Sequence, residues 1–150
     1  MSTIPAPNLS SLGAWALMGL LTVTIAIAYI LRSPPLARSL GLISRGHSYL
    51  RRMRAHIWLG YIIVVLAAVH ATAAMSAGPV ARLNLTGLGL AAVAYVSVVA
   101  QFALGYTLAN PTLRYRAGFR RGHFWVMVVL VVAALGHTVL NSPMLGVLFQ

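Results

Sequence analysis

The sequence contains no Asp, Glu, Lys or Cys, and each absence removes a class of function. Only 7% of its 150 residues are charged, whereas soluble domains average about 25%. Without carboxylates the chain has no acid/base carboxylate pair, Asp-supported triad, EF-hand or carboxylate-bridged di-iron site. Without Cys it has no disulfide, thiolate nucleophile or iron–sulfur ligand. Side-chain chemistry therefore depends on five His, eleven Arg and a few hydroxyls and amides.

Apolar residues make up 60% of the chain and gather into four long stretches. A transmembrane helix needs about 20 apolar residues, and the stretches at about 12–31, 55–75, 87–108 and 122–140 meet this length. The first lacks the basic start and the cleavage site of a signal peptide, so we expect a retained helix. The predicted fold class is all-α: one integral membrane four-helix bundle over residues 1–150.

The arginines are distributed unequally, and this predicts the orientation. Only Arg82 lies in the connection between the second and third helices. The other ten lie in the connections after the first and third helices: Arg32, Arg38, Arg45, Arg51, Arg52, Arg54, Arg114, Arg116, Arg120 and Arg121. Basic loops stay in the cytoplasm, so we expect both termini outside a bacterial or archaeal cytoplasmic membrane. No nucleic-acid motif accompanies the arginines; topology and contacts to anionic lipid explain them without nucleic acid.

The second and fourth helices share an internal repeat. Residues 54–71 align without gaps against residues 121–138, and both segments begin with Arg-x-His-x-Trp. A second His follows fourteen residues after the first in each segment. The repeat therefore contains four His in two matched positions, His56 with His123 and His70 with His137.

The spacing of these His predicts their arrangement in space. Fourteen residues of helix rise by about 21 Å and bring the two His of each helix to nearly the same face. Because the second and fourth helices run in the same direction, His56 should lie level with His123, and His70 level with His137. Small residues on this face, such as Gly60, leave room for a flat group between the helices.

Two His at each of two depths match the needs of haem iron better than those of zinc. Zinc takes four protein ligands, or three and a water molecule, whereas haem asks the protein only for axial ligands. Two stacked b-type haems fit this count. The alternative for an intramembrane His is helix–helix hydrogen bonding or a proton relay, and a carrier that uses such a relay would be colourless.

The two His-x13-His helices resemble the di-haem core of membrane cytochromes b, including the haem bundle of cytochrome bc complexes and the ferric reductase-like transmembrane domain. The detailed resemblance covers residues 54–71 and 121–138. It implies that His56 and His123 ligate an inner haem b, and that His70 and His137 ligate an outer one.

Cationic side chains near the membrane surface are the expected partners of haem propionates. Arg54 and Arg121, each two residues before a His, are the inner candidates, and Arg82 is the outer one. Trp58 and Trp125 are typical of an interfacial aromatic belt, although they also lie near the predicted inner haem.

The predicted function is transmembrane electron transfer by a non-catalytic subunit of a hetero-oligomeric redox complex. The 150 residues include no flavin- or nicotinamide-binding domain, so partners must exchange electrons with the chain. The expected donors are a quinol or a flavin or iron–sulfur subunit, and the expected acceptor is a c-type cytochrome or another metal centre. The alternative is a structural or haem-sensing accessory subunit without electron-carrier turnover.

Overall fold

The computed structural model describes residues 9–41, 53–76 and 84–141, and all regular structure within these ranges is helical. The helices are α1 (Leu9–Arg32), α2 (Pro34–Ser39), α3 (Arg54–Ser76), α4 (Leu85–Ala109) and α5 (Arg116–Asn141). All but α2 are long and apolar enough to cross a membrane. This confirms the predicted all-α class with four candidate membrane spans, and it fits an integral membrane protein.

The predicted helix boundaries agree with the structure except at the start of α5. This helix begins at Arg116, six residues before the predicted start at 122, and it includes Arg120 and Arg121 in its first turns. The prediction placed the start of the helix at the start of the apolar stretch. Arg is a good helix former, so the helix continues beyond that stretch into the basic segment.

Proline and glycine divide α1 from the short helix α2. Ser33 is extended, with φ −97° and ψ 95°, because a residue before proline disfavours the α conformation. Pro34 then occupies the first turn of α2, where a missing N–H costs nothing. Two residues after the end of α2, Gly41 has a left-handed φ of 68°, and its amide donates to the Arg38 carbonyl over 3.0 Å. The sequence analysis did not predict α2, since six residues carry too little periodicity.

Asparagines end the span α4 on both sides. The Oδ1 of Asn84 accepts from the amides of Thr86 at 2.9 Å and Gly87 at 3.3 Å, which satisfies two free donors of the first turn. Asn110 is extended at the other end, and Pro111 follows it, so the helix cannot continue.

The spans pack as two antiparallel pairs, α1 with α3 and α4 with α5, and α3 also contacts α4. Gly13, early in α1, lies against His70, late in α3. Gly105, late in α4, lies against His123, early in α5. Since His56 of α3 meets His123 of α5, α3 and α5 run in the same direction.

The centre of the bundle is a small apolar cluster, and the outside is also apolar. Ile63, Val98 and Leu130 are buried together, with Leu20 and Ala67 among the residues packed against them. Many large apolar side chains point outward from the same helices. A water-soluble protein rarely exposes so large an apolar surface, whereas lipid would cover it favourably.

Candidate functional site

His56 of α3 and His123 of α5 face each other at the Arg-rich end of the bundle. Their ring centroids are 6.2 Å apart, and the ring planes are nearly perpendicular at 82°. Both side chains are partly buried. The two positions that begin the internal repeat therefore meet in space.

This separation suits a metal ion between the two imidazoles. A metal–imidazole bond is about 2.0–2.1 Å long, so rings on opposite sides of one ion have centroids about 6 Å apart. The observed 6.2 Å is close to this value. The nearly perpendicular ring planes show that the two imidazoles are not stacked face to face.

His70 and His137 form the second pair, at the other end of the bundle, where each lies within electrostatic range of the other. The Nδ1 of His137 donates to the carbonyl of Gly87 over 2.9 Å. Because a carbonyl can only accept, the proton lies on Nδ1 and the lone pair of the neutral ring lies on Nε2. A metal-binding His usually has this arrangement.

The other three His are not satisfied by the described part of the chain. The Nδ1 atoms of His56, His70 and His123 are buried there without a hydrogen-bond partner, although the His56 ring lies near the Thr24 carbonyl. A buried polar atom without a partner costs free energy. If these His served only to join helices by hydrogen bonds, we would expect their nitrogens to be paired.

The helices α1 and α4 place small residues behind the His rings. A methyl group at Gly13 would lie 3.5 Å from Nδ1 of His70, and one at Gly105 would lie 3.6 Å from Cε1 of His123. Glycine thus lets the neighbouring backbone approach each ring closely. The sequence analysis gave no such role to these glycines, because only the packing reveals the contacts.

An apolar layer separates the two His pairs. Ile63 lies seven residues from both His of α3, and Leu130 lies seven residues from both His of α5. Both are buried, so the repeated face points inward on each helix. Among the described residues, no group of three or more His, Cys, Asp or Glu could hold a metal ion. The donors are therefore grouped in twos.

Arg54 and Arg121 are exposed at the end of the bundle that contains His56 and His123. Arg54 is the first residue of α3, where the macrodipole disfavours a cation, and Arg121 lies beyond the first turn of α5. With no Asp or Glu in the sequence, no side-chain ion pair within the chain can neutralise them. They suit an anionic group from outside. Arg82 lies outside the described residues.

The two repeat tryptophans point away from the His pairs. Trp58 is 60% exposed and Trp125 is 59% exposed. Their positions fit the interfacial belt rather than a role beside the His rings.

Two amide residues in the region of the His pairs, Gln101 and Asn84, were not identified from the sequence, whereas Asn141 was a weaker candidate, after Arg82, for the outer propionates. The Nε2 of Gln101 donates to the backbone carbonyl of His123 over 2.9 Å, and its Oε1 is buried without a partner in the described region. Asn141 lies beside His137, and the backbone amide of Asn84 donates to Oδ1 of Asn141. Gln101 could have been identified from the sequence as a candidate functional residue. It is the only amide side chain between residues 87 and 108, and polar groups inside membranes are costly.

Comparisons with protein-family models, curated proteins and solved structures found no match. The two His pairs and the residues that surround them are therefore the features of this chain that point to a function.

Proposed function

We propose that this chain binds two b-type haems and carries single electrons across a membrane as a subunit of a redox complex. One haem would lie between His56 and His123, and the other between His70 and His137. The observation that carries the proposal is the 6.2 Å separation of the His56 and His123 rings, which would allow both imidazoles to hold one iron.

The donor count supports haem over other metal groups. Each pair offers two imidazole nitrogens, and bound haem would supply the remaining iron ligands and the one-electron chemistry. At the second pair, the Nδ1–H of His137 donates to Gly87, which leaves Nε2 free as a ligand. Each haem would thus be held by one His from α3 and one from α5.

The distance between the pairs supports transfer across the membrane. Fourteen residues of helix place them about 21 Å apart along the axis, which covers most of a hydrocarbon core about 30 Å thick. One pair alone would reach only part of the way. Among the described residues, the three side chains buried in the apolar cluster, Ile63, Val98 and Leu130, have no titratable group, while the hydroxyls of Thr24 and Ser97 are buried in the same bundle.

The proposed orientation places the Arg-rich loops in the cytoplasm and both termini outside. Arg54 and Arg121 would bind the propionates of the inner haem, and Arg82 those of the outer one. A quinol, flavin or iron–sulfur donor and a c-type cytochrome or similar acceptor would be the redox partners.

The test is the colour and haem content of the purified protein. We expect a reduced-minus-oxidised spectrum of low-spin b-type haem and two haems per chain by pyridine haemochrome assay. As a control, a variant with Ala at His56, His70, His123 and His137 should purify without haem. Colourless wild-type protein, supplied with haem during expression, would reject the proposal.

A further inference from the structure

A hydrogen-bonded group joins the start of α4 to the end of α5 beside His137. The backbone amide of Asn84 donates to Oδ1 of Asn141 over 3.2 Å, and the Asn84 side chain caps the first turn of α4 at the amides of Thr86 and Gly87. Asn84 and Asn141 therefore hold the first turn of α4 in place. The Gly87 carbonyl in this turn reaches His137.

Gly87 shows how closely this turn approaches α5. A methyl group at this position would lie 2.7 Å from Cγ of Asn141 and 2.8 Å from its Oδ1, so any larger residue would have to displace the amide. The Gly87 carbonyl has a second lone pair beyond the one used in a helix. That lone pair can accept the proton of His137 Nδ1 at the observed 2.9 Å.

The Asn141 amide nitrogen also lies 3.1 Å from Nδ1 of His137. Both atoms cannot donate to each other, and the nearer carbonyl takes the Nδ1 proton. With the proton on Nδ1, the Asn141 amide nitrogen makes no hydrogen bond to the ring, while its Oδ1 accepts from the backbone amide of Asn84. By contrast, the facing His70 has a buried Nδ1 without a partner in the described residues.

We propose that Asn84 and Asn141 form a clamp that positions His137. The clamp holds the Gly87 carbonyl on Nδ1, which makes Nε2 the metal-binding nitrogen and fixes the direction of the ring. His137 is then the rigid ligand of the outer pair and His70 the adaptable one. This inference rests on the proposed function, because the ligand that Nε2 would bind is the outer haem.

The first experiment replaces one asparagine at a time and follows the two haems separately. Asn141→Ala should shift the midpoint potential and the electron paramagnetic resonance signal of the outer haem. It should also weaken outer-haem retention about 10-fold or more, the usual effect of losing a residue that orients a metal ligand. The inner haem should not change. Asn110→Ala, at the opposite end of α4, is the matched control and should leave the outer haem as in the wild type.

A second experiment tests the contact itself. Gly87→Ala should release the outer haem, whereas Gly89→Ala, where the added methyl meets nothing within 4 Å, should not. The double variant Gly87→Ala/Asn141→Ala should retain the outer haem as well as Asn141→Ala alone, because the Asn141 amide that the new methyl group would meet is then absent. Additive losses in the double variant would show that the two residues act independently and would overturn the clamp.

A third measurement separates this inference from the proposed function. In 15N-histidine-labelled protein, nuclear magnetic resonance should show the proton of His137 on Nδ1, and Asn141→Ala should introduce the Nε2–H form. Purified protein without haem would reject the proposed function. The tautomer of His137 in that protein would still test the clamp. An Nε2–H ring in the wild type, or haem-loaded Asn141→Ala with an unchanged outer signal, would overturn the clamp alone.

Discussion

At the scale of single residues, the four repeat His have similar positions but different surroundings. His137 has a backbone acceptor for its Nδ1, and the Thr24 carbonyl lies near His56. The Nδ1 of His70 lies near Gly13, whereas the His123 ring meets Gly105 through its Cε1. Because the acceptor of Nδ1 tunes the electron density at Nε2, we expect the two proposed haems to have different potentials.

The first prediction concerns the assignment of His to the two haems. His70→Ala should remove the outer haem and leave the inner spectrum largely intact, because an iron that loses one of its two His is no longer held by both helices. His56→Ala should do the reverse. Haem content per chain and low-temperature optical spectra would measure both.

His47 provides the control, since it is the one His outside the repeat; it also lies outside the described residues. His47→Ala should retain both haems. Loss of haem in His47→Ala, with full retention in His56→Ala, would show that the assignment is wrong.

The second prediction concerns the glycine behind His123. Gly105→Ala should be tolerated, because its methyl would lie 3.6 Å from the ring, an ordinary contact distance. Gly105→Leu should displace His123 and lower inner-haem retention, since a packed site cannot absorb a larger side chain without strain.

The matched control for this variant is Gly89→Leu in the same helix, where nothing lies within 4 Å of the added carbon. Haem content after gel filtration would compare the three variants. Equal retention in Gly105→Leu and Gly89→Leu would show that the close approach of Gly105 does not matter.

At the scale of helices, α3 and α5 supply the His while α1 and α4 support them from behind. In each of these two His-bearing helices, the repeat places one large apolar residue midway between the two His. These residues are Ile63 in α3 and Leu130 in α5, and both are buried. This layer joins all four spans, so the relative positions of the His pairs depend on it.

The third prediction tests this layer. Leu130 is 5% exposed, whereas Leu135 in the same helix is 48% exposed. Leu130→Ala should lower the free energy of unfolding by about 2–5 kcal/mol through the cavity that it leaves, and Leu135→Ala should change it little. Thermal or detergent-induced unfolding of the purified protein would measure both. Equal losses would contradict the packing described here.

At the scale of the whole molecule, the distribution of charge and of apolar surface supports the proposed orientation in a membrane. The seven described arginines lie at or beyond the helix ends that are nearest to His56 and His123. Four spans carry an apolar exterior. The proposed orientation follows from the positive-inside rule, by which that end and both Arg-rich connections would lie in the cytoplasm.

The fourth prediction tests this orientation. A reporter that is active only in the cytoplasm should stay silent when fused after Gln150. The same reporter fused after Arg45, in the first Arg-rich connection, should be active. The opposite result at both positions would invert the topology and exchange the inner and outer haems.

The fifth prediction tests transfer across the bilayer. In liposomes with reductant on one side only, an impermeant acceptor on the other side should be reduced by wild-type protein. His56→Ala and His70→Ala should each lower this rate strongly, because one haem covers only part of the hydrocarbon core. If both folded variants transfer electrons like the wild type, the accessory-subunit alternative should replace electron transfer.

By itself, the sequence determined the helical class, the four spans and the spacing of the His. A long apolar segment in a bilayer forms a helix because its backbone hydrogen bonds must be satisfied internally. With 3.6 residues per turn, two His fourteen residues apart lie on nearly the same face of that helix. Helix ends at Pro34 and Pro111 were equally readable, because the constraint of proline is local.

Only the tertiary structure decided what surrounds each His. The contact of Gly13 with His70, the bond from His137 to Gly87 and the position of Asn141 join residues far apart in the sequence. Periodicity describes one helix at a time, so it cannot show which backbone carbonyl or amide of a neighbouring helix meets a given ring. Those contacts depend on how the helices pack against one another, and this packing distinguishes His137 from the other three His.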